Sequence, residues 1–222
     1  MNNSVTNTAR LLMAGLRALL VLTLVTGVIY PLAVTGIAQG LFHGGANGSE
    51  ITADGRVAGS SLIGQSYNLP LKKGQETPDA DLKWFQGRPA NGLGSNSLNT
   101  QYKLILSGAT NLSADSKVLI EQVRDAKAAV VKDNSVPGHT VRPSDVPADA
   151  VTSSGSGLDP DISPAYAALQ VHRVAAKNGL PAAQVDKLVD DHTTGRTLGF
   201  IGEPRVNVLE LNIALKDLVA QH

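Results

Sequence analysis

Residues 18–38 read ALLVLTLVTGVIYPLAVTGIA, and this stretch decides the architecture of the chain. It holds five Leu, four Val and two Ile, and from Ala18 to Ser49 there is no Asp, Glu, Lys or Arg. At 1.5 Å per residue a helix over this run spans roughly 31 Å, matching the ~30 Å hydrocarbon core of a bilayer. Its large aliphatics contribute an insertion free energy of roughly −3 to −7 kcal/mol, which the Thr, Gly and Pro positions offset only in part. The run is apolar on every face, unlike the one-sided stripe of a helix on a soluble core. Pro31 lacks an N–H; in a bilayer a neighbouring helix or a Thr side chain can satisfy the freed carbonyl, and a kink is predicted near Val28 to Tyr30. Gly27, Pro31 and Gly36 are candidate positions for helix packing, the small residues letting another helix approach closely, although Gly is also simply common in membrane helices.

On the N-terminal side, the only charged residues before the run are Arg10 and Arg17. The positive-inside rule therefore keeps the N-terminus in the cytoplasm and places the residues beyond the run outside the cell membrane. A cleaved signal peptide would use the same arginines, with Gly36-Ile37-Ala38 as its small-x-small site. Its apolar region is usually only about 7 to 15 residues long, shorter than this one. The expected organisation is a cytoplasmic N-terminus over 1–17, a transmembrane helix over 18–40, a linker over 41–50 and one soluble α+β domain over 51–222. His43-Gly-Gly-Ala-Asn-Gly-Ser49 reads by composition as a flexible connector.

The 222 residues are 42% hydrophobic, enough for one sizeable core beside the span. Lys+Arg and Asp+Glu both number 19, so no basic footprint points to nucleic acid. There is no Cys, which excludes disulfides, thiolate metal sites and a cysteine nucleophile; the histidines at 43, 139, 172, 192 and 222 have no metal-ligand spacing.

Within the outer domain, Asp54-Gly55 between short strand-like runs predicts a hairpin, and Ser61 to Tyr67 is expected to continue its sheet. Residues 72–113 read as a long irregular region with one aromatic spot at Trp84-Phe85. Ser113 is expected to cap a helix over 114–132, with Leu119, Val123, Ala126 and Val130 on one face. Ser163 and Pro164 open a second helix that stops at Asn178-Gly179, and Pro181 opens a third with Val185, Leu188 and Val189 inward. A last helix over 208–220 carries Leu211, Leu215 and Leu218, preceded by a short strand over Leu198 to Ile201. Pro137, Pro143 and Pro147 predict irregular backbone between helices.

Tests for chemistry mostly fail. No P-loop and no D-K-T-G-T phosphorylation sequence occurs, so neither route to ATP hydrolysis is open; H-E-x-x-H and G-x-S-x-G are also absent. No catalytic residue and no metal site is expected. Thr152-Ser-Ser-Gly-Ser-Gly-Leu-Asp-Pro-Asp-Ile-Ser-Pro164 has N–H groups ahead of a helix, so Ser153, Ser154, Gly155, Ser156 and Gly157 form a candidate nucleotide or anion loop. No lysine adjoins it, and Asp159 and Asp161 would repel the anion, which favours a capped turn. Those two carboxylates supply too few oxygens for Ca²⁺. Arg88, after Trp84 and Phe85, and Arg196 and Arg205 in a Gly-rich stretch are candidate docking contacts or, equally, ties for loop carbonyls.

Five stretches carry a resemblance: Gly59-Ser-Ser-Leu-Ile-Gly-Gln65, Trp84-Phe-Gln-Gly-Arg-Pro89, Val146-Pro-Ala-Asp-Ala-Val-Thr-Ser-Ser-Gly-Ser-Gly-Leu-Asp-Pro160, Gln170-Val-His-Arg-Val-Ala175 and Gly195-Arg-Thr-Leu-Gly-Phe-Ile-Gly-Glu-Pro-Arg-Val-Asn-Val208. Through them the whole chain resembles the C subunit (KdpC) of the Kdp potassium-transporting P-type ATPase. It departs from that pattern at Asp161, where the family usually has His, at Thr194, where it usually has Glu, and by an insertion near 90–106.

The resemblance implies a non-catalytic accessory subunit that works with a potassium-channel-like subunit, a P-type ATPase subunit and a small membrane peptide. It also implies a role in assembly and in raising the ATPase subunit's affinity for ATP, the only cofactor in view and one reached through that subunit. Gln65, Trp84, Phe85, Arg88, Arg196 and Arg205 become candidate partner-docking residues. Direct contact with nucleotide conflicts with a domain outside the cell, and a cap over the channel mouth fits the charge distribution better. The rival class is a membrane-anchored envelope enzyme or binding protein.

Overall fold

The apolar run folds as a helix, and the helix is longer than the run. In the computed structural model, which describes residues 2–75, 77–95 and 105–222, α1 (Asn2–Leu24) passes through a five-residue π segment (Val25–Ile29) into α2 (Tyr30–Leu41). Ser4–Leu41 is the one helix among the described residues long and apolar enough to cross a membrane, and none of its most apolar part is buried by the rest of the chain. The expected distortion takes the form of a register change. Pro31 offers no N–H to the Gly27 carbonyl, and just ahead of it the bonds widen to i→i+5, with Tyr30 N donating to Val25 O. Thr26 Oγ1 donates to Leu22 O at 2.7 Å, the kind of side-chain support expected where the ladder is disturbed.

The connector, read by composition as flexible, carries a turn of helix. Residues His43–Ala46 form a one-turn helix, α3, and Asn47 locks it by donating to His43 O (2.8 Å) and exchanging side-chain hydrogen bonds with Gln39 (3.1 and 3.2 Å). The chain divides into two compact units, 1–50 and 51–222.

The second unit opens with the predicted hairpin. β1 (Glu50–Ala53) and β2 (Arg56–Ser60) pair across Asp54 and Gly55, whose φ of 52° and 73° are those a type I′ turn demands. Ser61 to Tyr67 does not continue that sheet. Gly64 N donates to Leu158 O (2.8 Å), drawing the chain away to a distant loop. A short pair, β3 (Gly94–Ser95) with β4 (Ile105–Leu106), lies within the expected irregular region; the intervening 96–104, most of the apparent insertion, and Glu76 are outside the described residues.

Four helices come next. α4 (Lys117–Asn134) starts three residues later than expected: Ser116, not Ser113, accepts from Leu119 N, while the Ser113 hydroxyl is taken by Asp115. After two 3₁₀ turns over Pro143–Asp145 and Ala148–Ala150, α5 (Pro164–Asn178) begins at Ser163, whose hydroxyl accepts from Tyr166 N at 3.1 Å. It ends at Gly179 with φ 69°, the left-handed stop that glycine tolerates.

α6 (Ala182–Asp191) and α7 (Val208–Ala220) complete the set. Between them the expected strand over Leu198 to Ile201 is instead the turn of a hairpin, because Leu198 and Gly199 adopt positive φ (55° and 81°). The strands are β6 (Thr193–Thr194) and β7 (Arg205–Asn207). With β5 (Asp161–Ile162) they make an antiparallel sheet in the order β5-β7-β6. The core gathers Val171 and Val174 of α5, Val185 and Val189 of α6, Leu211 and Leu215 of α7, Val206 and Phe85.

Candidate functional site

The Gly-Ser loop is built as a tightly bonded turn. Gly157 N donates to Ser154 Oγ (2.9 Å) and Leu158 N to Ser156 Oγ (3.1 Å), so the loop's own hydroxyls occupy N–H groups that an anion would need. Ser156 O accepts from Gly108 N (3.0 Å) and Ser107 Oγ (2.9 Å), and Ser153 Oγ accepts from Asn91 N (3.2 Å). Arg88 anchors the far side: its guanidinium pairs with Asp159 at 2.9 Å and reaches the Thr152 and Ser153 carbonyls at 3.4 Å. Its charge is thus already answered by a carboxylate. Asp159 Oδ1 also accepts from Asp161 N (3.1 Å). A cavity of about 240 Å³ opens beside this loop, with Asn91, Thr110, Gln122 and Ser154 in its wall.

The remaining candidates separate. Gln65 lies near Arg88 and Asp159 around a second cavity of about 360 Å³, but its amide donates to Ala58 O at 2.9 Å and braces β2. Phe85 is fully buried in the core, so its side chain is no docking contact; Trp84 is half-buried, its ring 6.1 Å from that of Tyr67. Arg196 pairs with Glu203 (2.7 Å) on the β6–β7 hairpin, and Arg205 of β7 pairs with Asp161 of the neighbouring β5 (3.1 Å). Burial, ahead of the opposing pull of Arg205, raises the Asp161 carboxyl above the usual range. Gly27 and Gly36 have open space where a Cβ would stand, the nearest side-chain atom among the described residues being Thr23 Cγ2, 4.0 Å from the position at Gly27. Among the described residues no group of three or more His, Asp or Glu could hold a metal ion.

Sequence reasoning missed a buried polar clamp. Arg173, 1% exposed, donates to Asn134 Oδ1 (2.8 Å), Gln170 Oε1 (2.6 Å), Trp84 O (2.9 Å) and Leu82 O. Gln170 exchanges bonds with both backbone groups of Gln86 (2.7 and 3.0 Å), and Asn212 does the same for Phe85 (2.9 and 2.9 Å). Two helices, α5 and α7, therefore supply hydrogen bonds that strip 82–86, which has no strand partner among the described residues, would otherwise leave unmade, and Asn134 of α4 braces Arg173. Desolvation lowers the Arg173 guanidinium to about 10, and among the described residues no carboxylate forms an ion pair with it. The available signal was Gln170 and Arg173, three residues apart on the apolar side of α5.

Comparison with known proteins gives the same family along nearly the whole chain. The family model described as "K+-transporting ATPase, c chain" matches residues 12–217. The potassium-transporting ATPase KdpC subunit of Streptomyces coelicolor is 79% identical over 99% of this chain and 98% of its own length, and that of Streptomyces avermitilis is 80% identical over 99% of each. The subunit of Gemmatimonas aurantiaca is 47% identical over 94% of this chain and 96% of its own length. A family model spanning nearly every residue and relatives this similar leave one assignment: the chain belongs to the KdpC family, the c chains of the K⁺-transporting ATPase.

Proposed function

We propose that the chain serves as a non-catalytic accessory subunit of a potassium-importing P-type ATPase complex, anchored by one span and acting on the far side of the membrane from ATP. The observation that carries this reading is the N-terminal helix: apolar through Leu41, its only charges Arg10 and Arg17, and no acidic residue before Glu50. By the positive-inside rule that distribution supports a cytoplasmic 1–17 and a unit 51–222 outside. Its partners are then a potassium-channel-like subunit, a P-type ATPase subunit and a small membrane peptide, contacted through the Gly27, Pro31 and Gly36 region of the span and through the outer unit. Assembly, and capping of the ion entrance, are roles such a domain can perform without reaching nucleotide.

Any effect on the ATP affinity of the ATPase subunit is then transmitted through contacts between subunits. The bonded state of the Gly-Ser loop supports this, since its hydroxyls and Arg88 are already engaged. The deciding experiment is labelling of single cysteines at Lys73 and Lys187 in intact cells by a membrane-impermeant thiol reagent, with Ser4→Cys as the inner control. Labelling at 73 and 187 but not at 4 is expected; the reverse pattern overturns the reading. In the assembled complex, Ser153→Ala, Ser154→Ala and Ser156→Ala together should leave the ATP concentration for half-maximal ATPase activity unchanged within about twofold, whereas a phosphate contact through charge-assisted bonds would cost about tenfold or more.

A further inference from the structure

The hairpin between β6 and β7 ends in three apolar side chains held out in solvent: Leu198 is 80% exposed, Phe200 72% and Ile201 50%. Their backbone is closely determined. Thr197 and Ile201 exchange two hydrogen bonds (2.9 and 3.0 Å), and Gly199 N donates to Arg196 O (3.1 Å). Leu198 is nonetheless in the left-handed region at φ 55°, where a leucine is strained and Asn or Gly would be at ease. Neither the strain nor the exposure serves the fold. Residues held in this way are characteristic of binding elements.

The charges around the tip identify the surface it fits. Arg196 is paired with Glu203 and Arg205 with Asp161, so the four groups cancel and leave a neutral polar collar around an apolar point. A neutral collar has no electrostatic pull toward an anionic bilayer, where loops of this kind carry uncompensated Lys or Arg. An apolar centre within a polar rim is instead the anatomy of a protein interface. We propose that Leu198, Phe200 and Ile201 form a preformed plug that inserts into an uncharged apolar recess on the outer face of a polytopic subunit of the ATPase complex. The plug rests on the proposed placement of the outer unit, and it assigns the arginines to shaping the hairpin rather than to docking.

The test uses the detergent-extracted complex, purified through a tag on the channel-like subunit. Leu198→Asn with Phe200→Ala removes the plug while Asn keeps the left-handed backbone, so the isolated full chain should melt as the wild type does or slightly higher. The amount of chain retained on the tagged subunit should fall by about tenfold or more, in line with loss of buried anchor residues. Full retention of this variant, together with loss of retention on deleting residues 1–40, overturns the plug and leaves the assembly reading standing. A wild-type chain that is not retained overturns both. Lipid as the occupant is checked by flotation of the wild-type outer unit, prepared by cleavage of the intact chain at the connector, with vesicles of anionic phospholipid: flotation that the double variant abolishes also overturns the proposal.

Discussion

Replacing Arg173 by Ala should unpin the strip 82–86 from the helices that hold it. Four acceptors lose a donor: Asn134 Oδ1, the Leu82 carbonyl, Gln170 Oε1, which keeps Gln86 N, and the Trp84 carbonyl, which keeps Gln86 Nε2 at 3.3 Å. Hydrogen bonds from a charged donor contribute roughly 1.5–3 kcal/mol each, and acceptors left buried add their own desolvation cost. Against this stands the cost of burying the guanidinium. Its fall from 12.5 to about 10 corresponds to roughly 3 kcal/mol favouring removal of the charge. The vacated volume adds a cavity penalty on the losing side. The balance is a loss of about 4 kcal/mol, or roughly 10 °C in melting temperature for a chain of this size.

The assay is thermal and denaturant unfolding of the purified full chain in detergent, followed by Trp fluorescence. Trp84 is the only tryptophan, and its own carbonyl is one of the four acceptors, so the probe sits on the element expected to move. Arg173→Met restores volume without donors and should recover about 1–2 kcal/mol, separating the cavity from the hydrogen bonds. Arg173→Lys should stay well below wild type, because one ammonium cannot fan out to acceptors on α4, α5 and the strip together. An Arg173→Ala chain within about 1 kcal/mol of wild type, with unchanged Trp84 emission, would refute the clamp.

Three further changes test other joints of the unit 51–222. Gly64→Ala would place a Cβ 2.4 Å from Asp159 O, a backbone atom with little freedom to yield, so a loss of about 2–3 kcal/mol in denaturant unfolding is expected, and wild-type stability would rule out the close approach. Asp149→Ala removes both bonds that this carboxylate accepts from Ser163, N at 2.7 Å and Oγ at 2.9 Å, and should cost about 2 kcal/mol, with faster amide exchange in the first turn of α5. Asp161 has a folded value above its unfolded 3.8, so its contribution to stability is full below that pH and is lost as pH rises through the folded value. The stability of Asp161→Asn relative to wild type should accordingly rise between about pH 3 and pH 7, and a constant difference across that range would show that Arg205 fully offsets the burial.

What could be read from the sequence was what local chemistry decides. Asp54-Gly55 fixes its own turn, Ser163-Pro164 and Gly179 fix both ends of α5, and the charge-free run fixes the span. Two serines three positions apart compete for the start of α4, and the outcome turned on Asp115 engaging the hydroxyl of Ser113. Leu198 to Ile201 has a strand's composition, but Gly199 within it and Gly202 just after it allow the chain to reverse. Phe85 looked like docking material because it stands beside a tryptophan in a segment without periodicity. Its side chain packs in the core, and its backbone is held there by a pair of hydrogen bonds to Asn212, 127 residues away, a separation no local pattern reports.

The stretches that carry the family resemblance can be divided by what they do in the structure. Gly64 meets Leu158, Arg88 meets Asp159, Asn207 Nδ2 donates to Ser61 O (2.9 Å) and Val208 N to Pro160 O (3.0 Å). Four of the five quoted stretches thereby close on one another around the Gly-Ser loop, while Gln170 and Arg173 of the other hold Trp84 and Gln86. The need to join loops that have little sheet to pair with explains these residues. It does not explain Leu198 and Phe200, which bond nothing through their side chains, and one of which strains the backbone to stand in water. A chain whose folded unit engages its polar loops so fully has little left there to offer a ligand. Its recognition chemistry is therefore to be sought where the fold has no use for the residues, at the tip of this hairpin and along the uncovered faces of the N-terminal helix.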